Sequence, residues 1–231
     1  NAYLENVGTA KVDSVNNIIK ELRIRSPEYV NALIDSYQAL MTSYINLAEF
    51  DTSAIQKRMT KRISFKQFKL DLDCCLSGEH HGRRNGYATN NSPAIITKPP
   101  SIRPDKQYGN GTDDPIGTER VIRFEPTFDL TPTGIHRPKI VECIGSKGGR
   151  FKQLVKGEDD LRQDAIMQQV FGTVNDLLRH ENYSIGATRQ LRLITYGITP
   201  LSPASGVLEW VDNTMCFGDF LMDKGKSVGA H

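Results

Sequence analysis

The apolar periodicity of this chain changes once along its length, and that change limits the folds open to it. In the first part, Val30, Leu33, Ile34, Tyr37, Leu40, Met41, Tyr44 and Ala48 recur at helical spacing and make the continuous stripe that one buried helix face requires. Ser26-Pro27-Glu28 ahead of it supplies an N-cap, a proline suited to the first helical position and an acid for the positive end of the dipole, so a helix is expected to begin there. An earlier helix is expected from Thr9 to about Arg25. Beyond residue 119 the pattern shortens to VIRFEPTF, PKIVECIG, RFKQLVK and QLRLITYGITPL, rich in β-branched and aromatic residues and punctuated by Gly and Pro. Such runs read as strands of a mostly antiparallel sheet. One helix, from about Asp159 to His180, is expected to cross it with Leu161, Ala165, Val170, Val174, Leu177 and Leu178 on its inner side. The fold class is therefore α+β, a helical segment over 1–76 followed by a small sheet with one major helix over 120–231.

Residues 77–119 separate the two and are dominated by Gly, Pro, Asn, Ser and charge. Their apolar surface is too small to offset the entropy of ordering them, and a mobile insert is expected. The total of 231 residues leaves room for two such units, each with a core. Lys and Arg number 29 against 27 for Asp and Glu, a net charge of +2, so no global field selects nucleic acid or an anionic membrane. Charge acts locally here. Lys57, Arg58, Lys61 and Arg62 fall on one side of any helix they form, and a helical interaction module touching DNA through them is the alternative to the enzyme reading below. The four cysteines, Cys74, Cys75, Cys143 and Cys216, include an adjacent pair and no CxxC, which argues against a disulfide framework and for a reducing compartment. Cys74, Cys75, His80 and His81 match no zinc spacing. No stretch approaches the roughly 20 apolar residues of a membrane span. The missing initiator Met and the ending KGKSVGAH fit a piece cut from a longer polypeptide.

The densest chemistry lies in LVKGEDDLRQD, Leu154 to Asp164, where one lysine ends an apolar strand and carboxylates follow at once. A strand lysine is expensive to hide unless an anion meets it. Asp159, Asp160 and Asp164 sit where the helix dipole already favours carboxylates, so one of them is expected to face Lys156. A strand lysine held by a helical acid beside an open cleft is a phosphate clamp of the kind kinases use. GSKGG, Gly145 to Gly149, lies between two expected strands, and its backbone N–H groups suit phosphate oxygens, with Ser146 or Lys147 as further donors. GVLEWV, Gly206 to Val211, carries the only tryptophan, a flat plate for a purine with backbone groups beside it. GKS at 225–227 is not a P-loop, because Phe220 stands where the first glycine is needed.

Taken together, LVKGEDDLRQDAIMQQVF with Gln169, IVECIGSKGGRF and YGITPLSPASGVLEWV resemble the phosphatidylinositol-3-kinase-related protein kinases. PKIVECIGS, the KGEDDLRQDA string and SGVLEW are similar to their ATM/Tel branch, and NNIIKEL and ALIDSYQALMTSYINLAEFD resemble the end of the family's FAT helical region. The resemblance implies a protein-kinase-like N-lobe and an ATP site. Gly145, Ser146, Lys147 and Gly148 would lie over the phosphates, which Lys156 would contact with Asp159 or Asp164 as its acid. Leu154, Tyr196 and Leu208 would line the adenine pocket, and Glu209, Trp210 and Val211 would form the hinge, Trp210 stacking on the base. The family's catalytic loop and activation segment, which supply the base and the Mg2+ ligands, do not occur in this sequence. No catalytic residue is therefore expected in this chain, which should be inactive alone, while nucleotide binding through half a cleft stays open. The parent implied is a nuclear, homodimeric serine/threonine kinase of the DNA-damage response, using ATP and Mg2+, with protein substrates and DNA-damage sensor proteins as partners.

Overall fold

A computed structural model of the chain describes residues 2–55, 61–70, 72, 92–98, 119–131, 137–184, 191–215 and 217–221. Helix α1 spans Ala2–Arg25 and α2 spans Glu28–Glu49. Pro27, not Ser26, is the cap of α2: its backbone is extended, and its carbonyl accepts from the Val30 N–H at 3.0 Å. A residue without an N–H loses nothing at that position. Arg23 joins the two helices through Asp35 at 2.7 Å and Gln38 at 3.0 Å. Helix α2 buries Leu40, Tyr44, Leu47 and Ala48, together with Ser36 and Ser43, whose hydroxyls donate back to Ala32 and Ala39 carbonyls at 2.9 Å. Met41, placed in the buried stripe from its spacing, is instead exposed.

The strands are β1 (Ile63–Ser64), β2 (Val121–Phe124), β3 (Thr127–Leu130), β4 (Lys139–Gly145), β5 (Arg150–Gly157), β6 (Ile198–Ser202) and β7 (Ser205–Glu209). They pair antiparallel in the order β1-β3-β4-β5-β7-β6, with β2 also on β4. VIRFEPTF divides at Glu125-Pro126, since proline has no N–H for the ladder. QLRLITYGITPL becomes a strand only from Ile198, and SGVLE is itself a strand. The difference has a cause. Between residues 191 and 196 the chain is held by helix α3 (Arg162–Ser184) through Leu193 and Tyr196 instead of by a neighbouring strand. Asn175 exchanges two hydrogen bonds with the Leu193 backbone, at 2.9 and 2.8 Å, and the Gln168 amide oxygen accepts from the Tyr196 N–H at 3.1 Å.

Helix α3 keeps only part of the expected inner face, with Ala165, Val174 and Leu178 half-buried. Leu161, just before it, is fully buried, but Val170 and Leu177, assigned to the inner side by periodicity, are 46% and 61% exposed. Leu161, Gln168 and Asn175 are spaced seven apart and define the true inner line. A further short helix, α4, covers Phe217–Leu221.

The core lies between α2 and the sheet, where Tyr44, Leu40 and Leu47 meet Val141, Val155 and Val207. Part of the stretch expected to be mobile belongs to it. Ala94, Ile95 and Thr97 are buried, Ala94 bridges to Arg120, and the Ala94 N–H donates to the Tyr37 hydroxyl at 2.9 Å. Ala94-Ile95-Ile96 is apolar enough to pack even though its surroundings are polar. Cys74, Cys75, His80, His81, Lys57, Arg58 and the GKS at 225–227 lie outside the described residues.

Candidate functional site

Strand alternation sorts β5 into two faces. Gln153, Val155 and Gly157 turn toward α2, where Gln153 takes the Tyr44 hydroxyl hydrogen bond and donates to Thr97 Oγ1 at 3.2 Å. Lys152, Leu154 and Lys156 consequently point the other way. In register, Leu154 stands beside Leu208 and Lys156 beside Gly206, so Leu154, Leu208 and Lys156 share the face opposite α2. Gly206 matters here, because a Cβ on it would stand 2.8 Å from Leu161 Cδ1. That missing side chain admits the Leu161 anchor of α3 beside Lys156.

The corner after β5 distributes its acids among different partners. Lys156 Nζ is 3.1 Å from Asp159 Oδ2, with the lysine side chain 27% exposed. Asp159, not Asp164, is thus the acid that meets it; Asp164 lies exposed in the first turn of α3. The pair is three residues apart and the Asp159 N–H is held by the Ala204 carbonyl at 3.2 Å, which ties the corner to the β6–β7 turn. Asp160 caps the Arg162 N–H at 3.1 Å and accepts the Arg162 guanidinium in a fork at 2.8 and 2.6 Å. Those hydrogen bonds hold its carboxyl down at about 2. Glu158 takes a left-handed backbone, φ 56°, that turns the chain from strand to helix.

The glycine turn departs from the phosphate cradle that its composition suggests. Gly148 has φ 83°, as a tight hairpin tip requires. The Gly145 N–H donates to Gly149 O at 2.8 Å, Ser146 to Arg120 O at 2.8 Å, Lys147 to the Glu119 carboxylate at 2.8 Å and Gly148 to Gly145 O at 3.0 Å. These N–H groups close the turn on itself and on the strand-leading Glu119. The loop therefore offers the exposed Lys147 side chain outward, not its N–H groups, while the exposed Ser146 accepts from the Arg120 N–H at 3.1 Å through its hydroxyl oxygen. Nothing in the sequence marks Glu119 for this role.

At the other end of β5, a cleft of about 440 Å3 is walled by Lys98, Phe151, Lys152, Glu209 and Trp210, among others. Its size suits a small ligand. Trp210 is half-buried; its backbone N–H donates to Lys152 O at 3.1 Å and its indole N–H to Asp212 at 3.1 Å. Glu209 lies next to Lys98 at 3.3 Å and accepts from the Gly197 N–H at 3.0 Å, and Lys98 also caps the Phe151 ring. Gly197 has no room for a side chain, since a Cβ would overlap the Thr97 oxygen and stand 2.8 Å from its carbonyl carbon. Glu209 and Trp210 are thus gathered at the cleft; the half-buried Val211 follows them in the chain but is not in its wall, and Tyr196, also half-buried, precedes β6. Leu154, Lys156 and Leu208 are not in the cleft wall but lie along the same sheet.

Among the described residues the buried cation is one that sequence reasoning passed over. Lys139 is only 3% exposed, and its Nζ donates to the Ala48 carbonyl at 2.8 Å, at the end of α2. Burial pushes its pKa down from 10.5 to about 8, with Glu158 and Asp51 opposing the shift. Its signal, a lysine bordering an apolar strand, is the one that drew attention to Lys156; only the register tells which faces the core. Because the unfolded chain holds this proton more tightly, stability is expected to rise with pH between about 8 and 10.5, by at most about 3 kcal/mol from this group. Lys139→Met should flatten that rise relative to the native chain in urea melts across the interval. An unchanged slope would show that Lys139 does not titrate there.

Comparison with known proteins accords with this geometry. The family profile for phosphatidylinositol 3- and 4-kinase matches residues 150–229, which hold β5, the acidic corner and β7. Serine-protein kinase ATM of Sus scrofa is 35% identical over 222 residues, 96% of this chain. The chain belongs to the phosphatidylinositol-3-kinase-related kinases, on their ATM/Tel side. Serine/threonine-protein kinase ATM of Arabidopsis thaliana is 52% identical over 99 residues, 42% of the chain. Among solved structures, the FAT and kinase domain of CtTel1 superposes with a TM-score of 0.70 at 28% identity, covering 94% of this chain and 14% of that one. This family member spans a small part of its relatives, 6% of the Sus scrofa protein and 2% of the Arabidopsis one. Among the described residues no three His, Cys, Asp or Glu lie close enough to hold a metal ion, so the magnesium that the family's chemistry calls for has no ligand set among them. Lys156, Asp159 and the apolar Leu154 and Leu208 do fit a nucleotide, offering one cation for phosphate and two aliphatic side chains on the same face.

Proposed function

We propose that this chain is the ATP-binding lobe of an ATM-like serine/threonine protein kinase, preceded by the end of the family's helical region over 1–76 and joined to it through the insert at 77–119. The observation that carries the reading is the sheet face opposite α2, where Lys156, clamped by Asp159, is aligned with the half-buried Leu154 and the buried Leu208. Lys152 and Lys156 are four residues apart, about 13 Å along a strand, which separates a base resting at Trp210 from phosphates at Lys156. Lys156 holds the phosphates, Asp159 fixes the ammonium, Leu154, Tyr196 and Leu208 enclose the adenine, and Glu209, Trp210 and Val211 form the hinge. Ser146 and Lys147 reach the phosphates with side chains, from a turn bounded by Gly145 and Gly148. Magnesium, when bound, neutralises phosphate charge; its ligands and the group that accepts the substrate hydroxyl proton come from outside this chain.

In the longer polypeptide that the lengths of the relatives imply, the γ-phosphate passes to Ser or Thr of a protein substrate. The names ATM and Tel1 point to the DNA-damage response and with it to the nucleus, to sensor proteins as activators and to telomere and repair duties. A relative described as a complete CtTel1 dimer with C2 symmetry supports a homodimeric parent. Trp210→Ala is expected to weaken ATP binding by about 1 to 3 kcal/mol, the range for bases stacked on aromatics. Isothermal titration with ATP and magnesium checks it, and an unchanged affinity would place the indole outside the site.

A further inference from the structure

The Ala48 carbonyl is a junction. It belongs to the last turn of α2, where carbonyls lack partners within the helix, and it is satisfied by the Lys139 ammonium at 2.8 Å. The negative end of the helix dipole favours a cation there. The same carbonyl lies against Gly157: a Cβ on Gly157 would overlap the Ala48 oxygen and stand 2.9 Å from its carbon. Both contacts fall beside Lys156, since Lys139 pairs with Val155 across the ladder and Gly157 follows Lys156 directly. One turn back along α2, Tyr44 fixes Gln153 on the same face of β5. The inward residues of β5 on either side of Lys156 are thus seated on α2, and the outward aim of Lys156 is set from behind.

We infer that Lys139 and Gly157, through the Ala48 carbonyl, are positioning residues for the phosphate-contacting Lys156, so that the last turn of α2 tunes ATP binding without touching nucleotide. This rests on the reading of Lys156 given above. The groups facing the Lys139 ammonium are the Ala48 carbonyl, Glu158 from the corner after β5 and Asp51 from the turn after α2. An added methyl at Gly157 has a backbone atom as its obstacle, so β5 and α2 must part by about 1 Å, and misplacement of that size is worth up to about 10²-fold in rate.

The test is steady-state kinetics on the intact natural polypeptide, with Gly157→Ala, Lys139→Met, Lys139→Gln and Lys139→Arg beside Lys156→Ala. Gly157→Ala is expected to raise the KM for ATP about 10-fold or more, and Lys139→Met about 5-fold or more. Lys139→Arg, which keeps the charge and the donor, should stay within about 2-fold of native, and the KM for the protein substrate should not move in any of them. If Gly157→Ala or Lys139→Met fails to fold, Lys139→Gln, neutral but still a donor, carries the same test with an expected rise of about 3-fold. Lowered melting temperatures with an unchanged KM for ATP would reduce the junction to a structural contact and overturn the inference. Full activity in Lys156→Ala would instead sink the reading of Lys156 itself, a different failure visible in the same experiment.

Discussion

Lys156→Ala is expected to abolish phosphoryl transfer in the intact polypeptide, lowering kcat/KM by about 10³-fold or more, while the lobe stays folded. The size follows from what the ammonium does: it is the cation that Asp159 holds in place on the sheet face opposite α2, and removing one preorganised charge from a phosphate or oxyanion typically has an effect of this order. The survival of the fold follows from exposure. With Lys156 27% and Asp159 45% exposed, their pair is screened by solvent, and such pairs contribute about 0 to 1 kcal/mol. Kinetics and thermal melting of the same preparation separate the two claims. Turnover within a few-fold of native would contradict the first, and a collapsed melting transition the second.

Leu161→Ala is the stability counterpart. Leu161 is fully buried and packs where Gly206 has no side chain. Ile166, Met167, Val170 and Leu177 of α3 are all exposed. Truncating it leaves a cavity under the start of α3, and a loss of about 2 to 5 kcal/mol is expected. Urea unfolding of this chain measures it, and hydrogen exchange should show the first turns of α3 opening before the β4–β5 ladder. A loss below about 0.5 kcal/mol would mean that α3 is held by Gln168 and Asn175 alone.

The two failures of sequence reading share one physical origin. Periodicity tells which residues of a helix lie on a common face, but not what the face meets. For α2 the meeting surface is a sheet, and apolar spacing identified Leu40, Tyr44 and Ala48 correctly. For α3 spacing identified Leu161, Ala165, Val174 and Leu178, but two side-chain amides, Gln168 and Asn175, complete the contact, and Val170 and Leu177 were assigned to the wrong side. The same limit governs the lysines. Lys139 and Lys156 both border apolar strands, and burial of the first is decided by the β4–β5 register, a long-range property. Local chemistry was more legible: the string around Lys156 announced a lysine with its acid, although the choice of Asp159 required coordinates. Glycine composition led to free N–H groups at 145–148, whereas the turn satisfies them internally and through Glu119, residues apart in sequence. In the stretch from 77 to 119, averaged composition hid Ala94-Ile95-Ile96, a short apolar run that reaches the core.

The central claim is a nucleotide lying along the face of Lys156, Leu154 and Leu208. An acyl-phosphate ester of ATP, which acylates a lysine amine lying beside the bound phosphates, tests it on the native protein with peptide mapping by mass spectrometry. Selective acylation at Lys156, suppressed by excess ATP with magnesium, is the result this account predicts. Acylation spread evenly over exposed lysines such as Lys61, Lys66 and Lys98, with no protection by ATP, would contradict it.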